Sequence, residues 1–308
     1  MIKYHKTING RINTLENFES ECWINCTAPT EKEINYLMSD VGIDPDLLKA
    51  SLDEEESSHV DREGDCTLMI MDSPVVNKSG KNFTYYTNPI SIIITPKNIV
   101  TISLKENSII EEFSEGLIRA AYPENKTRFA LQIMLRMAGK YLQYLTQINK
   151  ITEHVEEELK KSMQNEELVQ LLEIEKSLVY FSASLKSISG MLRKLSRGKH
   201  VELGEEEADL LEDIMIEIKQ AAEMSEIYLN ILSSSMDAFS SLISNNLNVV
   251  MKVLASITLI LSMPTIVSGI YGMNNPGIPF MDNWWFPFLL IGLSMFITWL
   301  ILKHKDMI

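Results

Sequence analysis

The chain has 308 residues, enough for two modest domains, a formal net charge of −14 and three cysteines. That acidity argues against nucleic acid as a partner and favours attraction of cations. An odd cysteine count in the part read as cytoplasmic argues for free thiols rather than bridges.

The start, MIKYHKTINGR, is polar and carries no signal-peptide pattern. Four short β-rich runs follow: CWINCT, CTLMIMDSPVV, ISIIIT and NIVTISL, the last two joined by the turn Pro96-Lys97-Asn98. Cys22 and Cys26 have a weak metal-ligand spacing, but alternation puts both on one strand face, where packing is the simpler role. Thr30 followed by Glu33 forms a capping box, so a helix begins there. Leu52 to Asp65 reads as a charged turn region. The whole first part, residues 1–125, reads as an α/β domain.

From Thr127 the apolar residues recur at three-four spacing, and a second helical run covers Glu166 to about Leu195. These two predict an antiparallel helical hairpin. A third helix starts near Glu205. It meets neither Gly nor Pro between Gly204 and Pro264, and extends toward Gly272 over roughly 100 Å at the standard rise. Residues 126–248 therefore read as a long-helix stalk. Residues 249–308 read as a membrane hairpin with a basic tail.

Two uncharged runs, 253–270 and 284–302, are each about long enough to cross a hydrocarbon core. Buried core helices would look alike in composition, but Trp284, Trp285 and Trp299 near the ends match an aromatic belt. Lys252 precedes the first span, Lys303-His304-Lys305 follows the second, and the link between them has no Lys or Arg. The positive-inside rule then places both termini in the cytoplasm of a multi-pass cell-membrane protein.

Stepping along the third helix by alternating threes and fours meets Asn230, Ser234, Asp237, Ser241, Ser244, Asn248, Met251, Ala255, Thr258, Ser262, Thr265 and Gly269. Nearly all are small or polar. Such a repeat keeps one face toward a common axis. Small residues also line dry membrane-helix seams, so close packing remains open, and Ser256 and Ser268 lie off the line. Yet the polar line continues well outside the membrane, where a dry seam would turn to Leu. Two spans cannot enclose a pore, so a wettable face requires several copies in a ring.

The tetrapeptide YGMN, Tyr271 to Asn274, ends the first span. With NVVMKVL (Asn248 to Leu254) and the long acidic helices, it resembles the CorA family of divalent-cation transporters over essentially the whole chain. The resemblance implies a cytoplasmic α/β/α domain, long helices and two C-terminal spans, assembled as a funnel-shaped homopentamer in the bilayer. It implies influx of Mg²⁺, with Co²⁺ and Ni²⁺ as substitutes, and no organic cofactor. By position, Gly272, Met273 and Asn274 match the outer mouth. Met251 and Leu254 match a hydrophobic constriction, and Asn248 and Asp237 match polar rings below it. The stripe residues Thr258, Ser262, Thr265 and Gly269 would then line the pore between. Asp213 matches one half of an inter-subunit regulatory Mg²⁺ site. For the other half the family has an acidic pair where this chain has Lys49 and Ala50, so Asp53, Glu54, Glu55 and Glu56 are the substitutes at hand. Phe280 likewise stands at an acidic position of the mouth, leaving Asp282 as the loop's one acid.

The chemistry fits a hydrated ion. Mg²⁺ sheds water reluctantly, and a ring of Asn274 carbonyls can accept hydrogen bonds from its water shell. No carboxylate occurs in the membrane part of the stripe, which favours passage over trapping. The phosphate-loop pattern is missing, since SGKN at Ser79 lacks the earlier glycine, and no catalytic constellation stands out. Two rivals stay open: a zinc transporter of the same superfamily, and a membrane-anchored coiled-coil scaffold that conducts nothing.

Overall fold

The local signals that start the first helix also tie it to the sheet. Thr30 Oγ1 accepts from the Glu33 amide at 3.4 Å and Glu33 Oε2 accepts from the Thr30 amide at 2.8 Å. Glu33 Oε1 accepts a third amide, that of Ile2, at 2.9 Å. In this computed structural model the described residues are all except 9, 80–81, 163–164, 274–276, 281–282 and 308; of residues 78, 79, 82, 162 and 165 the backbone alone is described.

The strands are β1 (Ile2–Ile8), β2 (Arg11–Leu15), β3 (Trp23–Thr27), β4 (His59–Glu63), β5 (Cys66–Ser79), β6 (Asn82–Ile94) and β7 (Ile99–Ser103). The helices are α1 (Glu31–Ser39), α2 (Pro45–Ser51), α3 (Ser108–Ser114), α4 (Lys126–Ser162), α5 (Asn165–Leu195), α6 (Glu205–Tyr271) and α7 (Phe286–His304). One seven-stranded sheet runs in the order β2-β1-β3-β7-β6-β5-β4. Only β3 and β7 are parallel, with Trp23 opposite Ile99 and Thr27 opposite Ser103.

Strand alternation sorts β3 between two cores. Cys22, Ile24 and Cys26 join Leu37 of α1 and Leu47 and Leu48 of α2 on one side. All three cysteines are buried free thiols, and burial pushes the Cys26 thiol up to about 12. On the other side Trp23 packs edge-on to Phe129 of α4 at 5.2 Å. Its indole N–H donates to Thr101 Oγ1 at 2.8 Å, and that hydroxyl donates on to Asn25 Oδ1 at 3.1 Å. The α5 helix is fastened by hydroxyls: Ser177 accepts from the Tyr85 amide at 3.2 Å and Ser187 donates to the Ser58 carbonyl at 3.0 Å. Helices thus cover both faces of a mixed sheet.

Two segments differ from the sequence reading. Part of the charged turn region is β4, an edge strand paired with β5 from His59–Ile70 to Glu63–Cys66. Only Val60 is buried there, and the exposed Asp61, Arg62 and Glu63 guard an open edge. The polar start is a β1–β2 hairpin in which His5 is buried against Trp23, the rings 4.7 Å apart and inclined by 33°.

The chain divides into two compact units, Met1–Ser234 and Ser235–Ile308. Within the first, α6 buries Leu211, Ile214, Ile218 and Ala221, and Ser225 donates to the Leu178 carbonyl of α5 at 3.2 Å. Three glutamates in its first turn suit the positive end of the helix dipole. The second unit holds the remainder of α6, with α7.

Candidate functional site

In the second unit, α6 and α7 are both long and apolar enough to cross a membrane. In α6 from Met251 onward Ser256 is buried and Ile260, Met263, Val267 and Tyr271 are part-buried along one three-four row, with Ser262 and Pro264 part-buried off it. The contacts from α6 to later segments start on this row. Ser256 donates to the Met307 carbonyl at 3.1 Å, and the Tyr271 ring lies 6.3 Å from that of Phe286. This row therefore faces α7. Ser256, off the polar line in the sequence, has its own task here.

Thr258, Ser262, Thr265 and Gly269 lie about half a turn round the helix from that row, at roughly 100° per residue. Thr258, Thr265 and Gly269 are exposed, and Ser262 is half-exposed. Met251 and Leu254 are 56% exposed each, and Asn248 and Asp237 are exposed as well. The hydroxyls have a defined polarity. Thr258 Oγ1 donates to the Leu254 carbonyl and Ser262 Oγ to the Leu259 carbonyl, both at 2.8 Å. A hydroxyl that spends its proton on its own helix turns its lone pairs outward. The stripe thus offers acceptors, which suits the water shell of a cation. Pro264 sits inside α6 and brings no N–H, so the Ile260 carbonyl loses its helical donor.

At the end of α6 the Gly272 amide donates to Ser268 O at 2.8 Å and the Met273 amide to Ile270 O at 3.2 Å. A Cβ at Gly272 would stand 3.1 Å from the Ser268 carbonyl oxygen, closer than ordinary contact, so glycine suits this turn. Met273 is exposed. Asn274 and Asp282 lie outside the described residues. Across the loop the Tyr271 hydroxyl donates to the Pro279 carbonyl at 3.1 Å, a staple with no signal in the sequence beyond the aromatic residue itself.

Asp213 is exposed on α6, in the first unit. One turn on, Glu217 is half-buried, and burial together with the Asp213 charge raises its carboxyl above the usual range. Asp53, Glu54 and Glu56 are engaged locally. Asp53 Oδ1 accepts from the Glu55 amide at 2.9 Å, Glu54 pairs with Lys105 at 3.0 Å, and Glu56 lies 3.6 Å from His59. Among the described residues no three His, Cys, Asp or Glu side chains converge as metal ligands. One chain therefore does not bring Asp213 together with residues 53–56 as a metal site.

The family model described as "CorA-like Mg2+ transporter protein" matches residues 19–304. The cobalt/magnesium transport protein CorA of Methanocaldococcus jannaschii is 29% identical over 266 residues, covering 85% of this chain and 82% of that protein. Its namesake in Thermotoga maritima is 22% identical over 299 residues, covering 92% of this chain and 82% of that protein. The complete structure of the M. jannaschii CorA magnesium transporter superposes with a TM-score of 0.78 at 26% identity, covering 99% of this chain and 96% of that one.

Proposed function

The chain belongs to the CorA-like Mg²⁺ transporter family, and on that premise we propose that it is a passive uptake pathway for hydrated Mg²⁺. Co²⁺ and Ni²⁺ are further cargo. The observation that carries the reading is the acceptor-lined face of α6 opposite the row that meets α7, with Thr258, Thr265 and Gly269 exposed and Ser262 half-exposed. Five copies around an axis would make that face a channel wall. The three parts would then divide the work: residues 1–125 and 126–248 in the cytoplasm, and 249–308 in the cell membrane with both termini inside.

In this assembly Gly272, Met273 and Asn274 surround the outer mouth, where Asn274 carbonyls accept from the ion's water. The water-lined route continues past Gly269, Thr265, Ser262 and Thr258. Rings of Leu254 and Met251 close it by excluding water, and Asn248 and Asp237 receive the ion on the inner side. The membrane potential supplies the drive, about 4.6 kcal/mol per 100 mV for a divalent ion crossing an inside-negative bilayer, twice the single-charge figure. No covalent step is needed, so the protein acts as a transporter rather than an enzyme. Cytoplasmic Mg²⁺ is a regulatory ligand at Asp213, with its second carboxylate drawn from residues 53–56 of a neighbouring copy.

The deciding experiment is Mg²⁺ flux into proteoliposomes, with and without internal Mg²⁺, for the wild type and Asn274→Ala. The wild type should take up Mg²⁺ and the variant should lose uptake while its assembly persists. Zn²⁺ flux without Mg²⁺ flux would change the cargo. An unaffected variant would favour the scaffold.

A further inference from the structure

The link between the two membrane helices is fastened to itself. Tyr271, the last residue of α6, donates its hydroxyl to the Pro279 carbonyl at 3.1 Å, bridging eight positions. The next residue, Phe280, takes a left-handed backbone angle of φ 58°, unfavourable for a bulky side chain. Its ring lies 4.7 Å from Phe286, inclined 37°, and Phe286 lies 6.3 Å from the Tyr271 ring. Two further bonds lead into α7: the Asn283 amide donates to Phe280 O at 3.1 Å and the Phe286 amide to Asn283 O at 3.2 Å. The end of α6, the end of the loop and the start of α7 thus meet around three aromatic rings. A strained residue persists where its surroundings over-determine it, and here they do.

We infer that Tyr271 is a positioning residue for the ion mouth: its hydroxyl bond to Pro279, backed by Phe280 on Phe286, clasps the loop and holds Gly272 and its neighbours at one spacing around the ion. The inference rests on the transport reading above. A ring of acceptors for a hydrated ion works only if every copy presents them at the same distance, and recognition groups need placement within about half an ångström. Glycine at 272 carries no side chain that could fix the turn, so a clasp from Tyr271 next to it has a task. Phe280 in place of an acid then has a consequence. This mouth gives up one negative charge and gains an aromatic contact that fixes its shape. The plainer role of Tyr271, an aromatic anchor at the membrane interface, predicts no effect from removing its hydroxyl alone.

Tyr271→Phe keeps the ring and deletes the clasp bond. In proteoliposomes its half-saturating Mg²⁺ concentration should rise about 2- to 10-fold, the range of one neutral hydrogen bond. Inhibition by the inert hexaammine complex of cobalt, a hydrated-Mg²⁺ mimic, should weaken by the same factor. Maximal flux and oligomer size should hold. Hydrogen exchange of residues 271–286 should quicken in the full-length protein. Unchanged exchange, or faster exchange with an unchanged half-saturation, overturns the clasp as a positioning device. A wild type that moves no divalent ion overturns the transport reading itself, and is told apart because the exchange comparison needs no flux. If the cargo is another divalent ion, the same shift in half-saturation is read with that ion.

Discussion

Ser256 on α6 donates its hydroxyl to the carbonyl of Met307 at 3.1 Å, across 51 positions of chain. Thr258, Ser262 and Ser268, by contrast, donate to carbonyls of their own helix. Ser256 is fully buried, and Leu302 is the other buried side chain of the described residues after 249. The turn after α7 that delivers the Met307 carbonyl is closed by the Met307 amide on Leu302 O at 3.0 Å, with Asp306 left-handed at φ 50°. The first span thereby grips the end of the second.

Ser256→Ala should therefore free the C-terminal turn without melting α6. The loss is about 1 kcal/mol, that of one hydrogen bond. Hydrogen exchange at the Met307 amide should quicken while the amides of α6 on either side of 256 stay protected. Equal exchange in both proteins would show that the bond holds nothing.

Thr258→Val and Thr265→Val retain shape while removing acceptors from the proposed channel wall. Each should lower Mg²⁺ flux several-fold with oligomer size unchanged. The matched control is Thr298→Val on α7, whose hydroxyl also donates to its own helix, to Ser294 O at 2.8 Å. Equal losses from α6 and α7 variants would place the wrong face toward the ion.

Glu112 on α3 accepts from Arg136 Nε at 2.6 Å and from Lys140 Nζ at 2.9 Å, both on α4. Burial pushes its carboxyl up, but the two cationic partners outweigh that and hold it below the usual range. Glu112→Gln should cost about 1–3 kcal/mol, because hydrogen bonds to charged groups are the strong ones and two cations lose their partner. Thermal unfolding of the full chain in detergent reads the loss. As the folded pKa is depressed, the contribution is complete above the unfolded-state carboxylate pKa. It fades as pH falls through the folded value.

His5 is held neutral, with its pKa lowered to about 4, first by burial and then by the charge of Lys3. Its Nδ1 lies 3.3 Å from Thr14 Oγ1, and its buried Nε2 has no hydrogen-bond partner among the described residues. Above the ordinary value of 6.5 both folded and unfolded states are neutral and pH has no effect through this group. Between 6.5 and about 4 only the unfolded chain takes up the proton, so stability falls with pH, by about 3 kcal/mol in all. His5→Phe keeps a ring on Trp23 and should flatten the acid side of the stability profile over that window. An unchanged profile would show that other groups set it.

The two spans, the capping box at Thr30 and Glu33, and the 67-residue α6 were legible along the chain. Each depends on spacing within a few residues, which periodicity records directly. The polar face of α6 was legible for the same reason. What lay beyond reach were pairings between distant positions: the edge strands β4 and β2, each with one buried side chain, the pairing of β1 between β2 and β3, and the burial of His5 against Trp23. Ser256 shows the division within one residue. By sequence it was a small polar residue off the line. Only when α7 and its closing turn return to α6 does its hydroxyl find the Met307 carbonyl. Tyr271 and Pro279 meet in the same way. Helical faces follow from a local repeat of 3.6 residues, whereas a hydrogen bond between remote groups exists only once the chain between them has taken its shape.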